Sequence, residues 1–128
     1  IRLINLFELV TGARVKDCFV YEDRTLFIIR NGDIGKVVAN KGLKIKKLER
    51  MIKKKVKVVE YSTDVIDFLK SYISPIKGVC IILTDSIVEI KAVDSRDRWI
   101  LIGRDRKNLD NLTNIVKKYF DVVDIKVT

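Results

Sequence analysis

The chain contains itself twice. Shifted by 64 positions, residues 36–48 lie over residues 100–112 without a gap, and the register continues beyond them. Met51 and Ile52 fall on Ile115 and Val116, Lys53 and Lys54 on Lys117 and Lys118, and Val58-Val59-Glu60 on Val122-Val123-Asp124. Each copy sets a short polar loop between two apolar helical stretches and closes on a Val-Val-acid strand. Self-similarity of this kind constrains the fold to a repeated small unit, and points to a tandem binding module ahead of a single catalytic cleft. The expected units are residues 1–62 and 63–128, each of a size at the lower limit for an independent core.

Within each copy the pattern changes period in the same order. Leu3, Leu6, Phe7 and Val10 recur at helical spacing and Gly12 stops the helix they imply. Residues 15–21 and 25–30 are β-branched and aromatic runs around Glu22-Asp23-Arg24, which predicts a hairpin. Asp33 is the expected N-cap of a short helix through Val38; residues 39–42 form a loop, and Ile45, Leu48, Met51 and Ile52 mark a longer helix. Residues 56–61 close the unit as a strand. The second pass predicts a helix capped by Ser62 or Thr63 and ending near Ile73, then strands at 79–83 and 87–93. A short helix from about Arg96 to Ile102, a loop at 103–106, a helix striped by Leu109, Leu112, Ile115 and Val116, and a strand at 122–127 complete it.

Charge is distributed unequally between the copies. Residues 1–62 hold 15 Lys and Arg against 7 Asp and Glu, whereas residues 63–128 hold 11 against 10, so nearly all of the net +9 belongs to the first copy. A polyanion is attracted there first, with an affinity that falls as salt rises. Hydrophobic residues at 48% and charged residues at 34% describe a globular chain. There is no apolar run of the roughly 20 residues that cross a bilayer, nor a signal-peptide pattern, so a cytoplasmic location and no membrane partner are expected. The chain starts at Ile1 without methionine, and residues preceding it are expected. With no histidine and only Cys18 and Cys80, a zinc site is not expected and histidine acid–base chemistry is excluded. The two cysteines are expected as buried free thiols, with a disulfide between them as the alternative.

The order α-β-β-α-α-β, with a four-residue loop joining two helices, resembles the type II KH domain. Two such units are similar to the tandem KH region of the NusA family, including its short archaeal members. The resemblance rests on Val15-Lys16-Asp17-Cys18, Gly32-Asp33-Ile34-Gly35-Lys36-Val37-Val38, Lys57-Val58-Val59-Glu60-Tyr61-Ser62, Ser74-Pro75, Ile102-Gly103-Arg104 and Phe120-Asp121-Val122-Val123-Asp124. It implies an α+β fold in which each unit packs a three-stranded mixed sheet on helices. It also implies contact with single-stranded RNA through a Gly-x-x-Gly loop, in which glycines admit close backbone approach and basic side chains meet phosphates.

Both loops depart from that pattern. Ala39-Asn40-Lys41-Gly42 keeps the second glycine, and the Ala39 methyl is tolerable at a negative φ. Gly103-Arg104-Asp105-Arg106 keeps the first; Arg106 takes a positive φ only at a cost, and Asp105 repels phosphate. The candidate RNA contacts are Lys36, Ala39, Asn40, Lys41, Gly42 and Lys44 at the first loop, and Gly103, Arg104, Asp105, Arg106 and Lys107 at the second. Val37, Val38, Ile45, Leu101, Ile102 and Leu109 are placed to line the adjoining grooves or the core. Lys53-Lys54-Lys55-x-Lys57 reads as a solvated helix terminus, with a nucleic-acid patch as its alternative, and Trp99 as packing between the copies, with base stacking as its alternative. The carboxylates at 22–23, 94 with 97, and 121 with 124 fall at turns, which suits capping.

These features predict an RNA-binding protein that is not an enzyme, with no cofactor, metal or small-molecule substrate. The resemblance implies a role in transcription termination and antitermination and contact with RNA polymerase. The alternative is a protein-interaction module that docks on RNA polymerase or a ribosomal particle with degenerate loops.

Overall fold

The computed structural model describes residues 2–128. Its packing divides the chain into two compact units, Ile1–Thr63 and Asp64–Thr128. In the first, helix α1 (Arg2–Thr11) precedes strands β1 (Val15–Val20) and β2 (Arg24–Ile29), helix α2 (Ile34–Ile52) and strand β3 (Lys55–Glu60). In the second, α3 (Val65–Ile73) precedes β4 (Val79–Thr84), β5 (Ile87–Ala92), α4 (Ser95–Ile102), α5 (Lys107–Tyr119) and β6 (Asp124–Val127). Each sheet has three strands in sequence order, the first pair antiparallel and the second parallel. The parallel pair follows from the helical crossover, since a tight turn cannot join parallel neighbours.

The central strand is the most buried of each sheet because it has neighbours on both edges. Phe27 and Ile29 of β2 pack with Phe7, Val37 and Leu48, and the Phe7 and Phe27 rings stack 4.3 Å apart. In β5 the alternation is explicit: Val88, Ile90 and Ala92 are buried between exposed or half-buried neighbours. All four residues of the α5 stripe, Leu109, Leu112, Ile115 and Val116, are buried as their spacing requires. Phe68 of α3 meets Phe120 at 5.4 Å between ring centres.

Three local expectations are corrected. Asp33 stands at the start of α2 but its side chain caps nothing there; its carboxylate accepts Arg14 N–H at 2.8 Å and Arg30 Nη2 at 3.1 Å, with Lys36 Nζ at 3.6 Å. The cap of α3 is Asp64, whose Oδ1 accepts from Ile66 and Asp67, in place of Ser62 or Thr63; a carboxylate at that end also favours the helix dipole. Both cysteines are free thiols, but Cys80 is exposed, because β4 is an edge strand; Cys18 is half-buried, and burial, aided by Asp17, raises its thiol pKa.

The Asp33 network carries a pH prediction. The Arg14 N–H bond, chiefly, and the neighbouring Arg30 and Lys36 cations lower its pKa below 3.8, although burial opposes them. A depressed folded-state value means that this stabilisation is complete above the unfolded value and is lost as pH falls from there through the lower folded one. Chemical denaturation below pH 4 should therefore show a loss of stability in the wild type, part of which is missing in Asp33→Asn.

Candidate nucleic-acid interface

The first loop interrupts α2. Ala39 has φ −54° and ψ 152°, an extended conformation open to any residue, and Asn40, Lys41 and Gly42 follow with φ of 56°, 57° and 76°. Three successive left-handed residues turn the chain sharply, and asparagine and glycine are among the residues that tolerate this region best. Asn40 and Lys41 are exposed, and Lys41 pairs with no carboxylate among the described residues. Val38 and Leu43 on either side are 55% and 59% exposed. Of the other lining candidates in this unit, Val37 is core and Ile45 packs half-buried against it. Because Ala39 is extended, Ala39→Gly should cost roughly 0.4–1 kcal/mol through the freer unfolded chain and leave RNA affinity unchanged.

Lys36 and Lys44, both expected phosphate contacts, also have partners within the unit. Lys44 Nζ donates to Lys36 O at 3.1 Å and to Thr11 O at 3.3 Å, so it satisfies carbonyls left open where helices stop. Lys36 pairs with Asp33 but its side chain remains 52% exposed. Lys41 is thus the cation that the loop itself presents.

A groove of about 870 Å³ begins at Leu43 and runs along α2 past Lys46, Arg50 and Lys53 to Lys54, Lys55 and the Glu22-Asp23 turn. Leu43, Lys46, Arg50 and Lys53 recur at steps of three and four and share one helix face. Lys46 and Arg50 are not among the contacts predicted from the sequence, which reads Lys53-Lys54-Lys55 as a solvated terminus; the helical spacing from Gly42 onward is the signal that links them to the loop. The groove is not uniformly basic, since Glu49 also lines it while accepting Val56 N–H at 2.9 Å. Lys54 is partly committed as well, donating to Tyr21 O at 2.8 Å.

The second loop uses its glycine differently. Gly103 has φ 76° and ψ 169°, a region essentially reserved for glycine, and a Cβ there would lie 2.6 Å from Asn108 Cγ and 2.8 Å from Asn108 N. Asn108 is held close because its Nδ2 donates to Ile100 O at 2.8 Å. Arg106 does adopt the positive φ that its side chain disfavours, 62° with ψ 17°, close to the conformation of the aligned Gly42. The second copy therefore keeps glycine where geometry demands it and accepts strain of about 1–2 kcal/mol at Arg106. Arg104, Asp105, Arg106 and Lys107 are all exposed. Arg104, Asp105 and Lys107, with Asp110, border a concavity of about 570 Å³, and Arg106 Nε lies 3.9 Å from Asp110. Leu101 and Leu109 are buried and Ile102 is half-buried.

Among the described residues there is no cluster of three or more His, Cys, Asp or Glu side chains suited to a metal ion. Among those residues no helix is long and apolar enough to cross a membrane. The sites thus consist of exposed loop backbone, cations and short aliphatic surfaces, which can bind and orient a flexible anion.

Comparison with known proteins gives this arrangement its relatives. The family model described as "KH domain" matches residues 3–100. The "Probable transcription termination protein NusA" of Halococcus morrhuae is 30% identical over 99% of this chain and 93% of its own length. That of Methanococcus vannielii is 32% identical over 97% of this chain and 73% of its own. Among solved structures, the crystal structure of APE1850 superposes with a TM-score of 0.72 at 27% identity, covering 99% of this chain and 96% of that one. A shared architecture, a loop between helices in each unit and this degree of identity over almost the whole length place the chain in the KH-domain family, among its archaeal NusA-like proteins.

Proposed function

We propose that the chain consists of two KH units in tandem, residues 1–62 and 63–128, which hold single-stranded RNA, and that it acts in transcription termination and antitermination in association with RNA polymerase. The observation that carries the RNA-binding reading is the first loop: three left-handed residues present Lys41 between exposed Val38 and Leu43, at the mouth of the groove along α2. A single strand suits it. Phosphates meet Lys41 and, further along, Lys46, Arg50 and Lys53, while unstacked bases rest on aliphatic surface. A duplex keeps its bases stacked inside and gains only the phosphate part. The second loop offers its own contacts through Arg104 and Lys107, with Asp105 and Asp110 weakening them.

Competition among single-stranded RNA, duplex RNA and single-stranded DNA of equal length tests this directly. Single-stranded RNA should be the tightest ligand at one salt concentration. Equal affinity for all three would reduce the interaction to undirected charge and remove the KH-type mechanism. The role in termination is tested separately, by adding the protein to a transcribing polymerase and measuring read-through at a terminator, which should change and should cease to change when Asn40 and Lys41 are both aspartate.

A further inference from the structure

Trp99 is the chain's one tryptophan, and it stands 71% exposed on α4 with Ile100 beside it 58% exposed. An indole in water forgoes one of the largest gains from burial that any side chain offers. The helix does not use it for packing: Leu101 is the buried residue of α4. The ring therefore adds little to the packing of its own helix, and its exposure calls for another account.

The surroundings favour a nucleic-acid base. Helical spacing puts Arg96, Trp99 and Gly103 on one face and brings Ile100 and Arg104 alongside. Trp99 O accepts Gly103 N–H at 2.8 Å, so the tryptophan is one turn from the second loop. Beyond that turn Arg104 and Lys107 border the loop's concavity. An exposed ring one turn from a loop that carries Arg104 and Lys107 has the two elements by which single-strand binders grip a nucleotide, a surface for its base and a charge for its phosphate. In the first copy the aligned residue is Gly35, so the feature belongs to the second unit alone. That is the unit with little net charge, whose loop carries Asp105 and where Arg106 faces Asp110. Stacking offsets what phosphate attraction lacks there, because it does not depend on charge.

The geometry points to Trp99 as a stacking platform for one unpaired base of an RNA strand whose phosphates lie at Arg104 and Lys107. This rests on the RNA-binding reading and assigns a subsite within it. A single tryptophan makes the emission of the whole protein a report on this ring. Titration with a short single-stranded RNA of mixed sequence should quench that emission, in step with binding followed independently by anisotropy of a labelled strand. Trp99→Ala should weaken binding roughly 5- to 150-fold, the range seen when a stacking aromatic is removed. Its salt dependence should match the wild type, since no charge is lost, and Trp99→Phe should retain most of the affinity. The denaturation midpoint of Trp99→Ala should also match the wild type, because the ring is exposed. If labelled RNA binds but emission stays constant and Trp99→Ala binds equally well, the platform is wrong and the ring serves another surface, such as a protein contact, while the RNA-binding reading stands. If labelled RNA fails to bind at low salt, both fall.

Discussion

Replacing Asn40 and Lys41 together by aspartate should abolish most RNA binding and leave the fold intact. Both residues have φ near +57°, and aspartate is one of the few side chains that enter this region readily, so the loop keeps its shape. The substitution turns a loop charge of +1 into −2 where the strand's phosphates pass. Loss of one phosphate contact and the new repulsion together should weaken binding on the order of 10- to 100-fold, with a shallower salt dependence by about one charge. The denaturation midpoint should move little. A Lys44→Ala variant makes the useful contrast: Lys44 bonds to Lys36 O and Thr11 O, so its loss should lower stability as well as affinity.

The second large effect is on stability. Gly103→Ala places a methyl group 2.6–2.8 Å from Asn108 and holds alanine at φ 76°, ψ 169°. Strain of this kind and the overpacking each cost about 1–3 kcal/mol, so a total of about 2–5 kcal/mol is expected, with the loss in the second unit. Gly42→Ala provides the internal control. Its φ is 76° but ψ is 19°, the ordinary left-handed region, and nothing lies within 4 Å of the added Cβ. That change should cost only about 1–2 kcal/mol. Urea denaturation of the two variants side by side measures the difference, and equal losses would mean that Asn108 moves aside.

The repeat made the element order and both loops legible, because apolar spacing switches between the helix and strand periods at the same places in each copy. The hairpins were legible for the same reason, from β-branched runs such as Thr25–Ile29. What was not legible depends on residues distant in sequence. Asp33 looks like a local cap, yet its carboxylate is taken by Arg14 N–H, 19 positions earlier. Lys44 looks like a loop cation, yet it is turned to the end of α1. Arg106 violates a local backbone preference that its surroundings override. Cys80 looked buried because an edge strand and a central strand share one composition. The face from Leu43 to Lys53 was legible in principle, but a lysine-rich helix shows the same pattern when it is merely solvated.

The account stands most directly on a salt titration of single-stranded RNA binding, run on the wild type and on the Asn40, Lys41 double aspartate variant. Engagement of three to five phosphates predicts a log–log slope of about −2 to −3.5, or a loss of about 15- to 130-fold between 50 and 200 mM salt, and a slope shallower by about one in the variant. A wild-type protein that ignores single-stranded RNA at low salt, or a variant that binds with the same slope and affinity, would contradict it and turn attention to a protein-docking role.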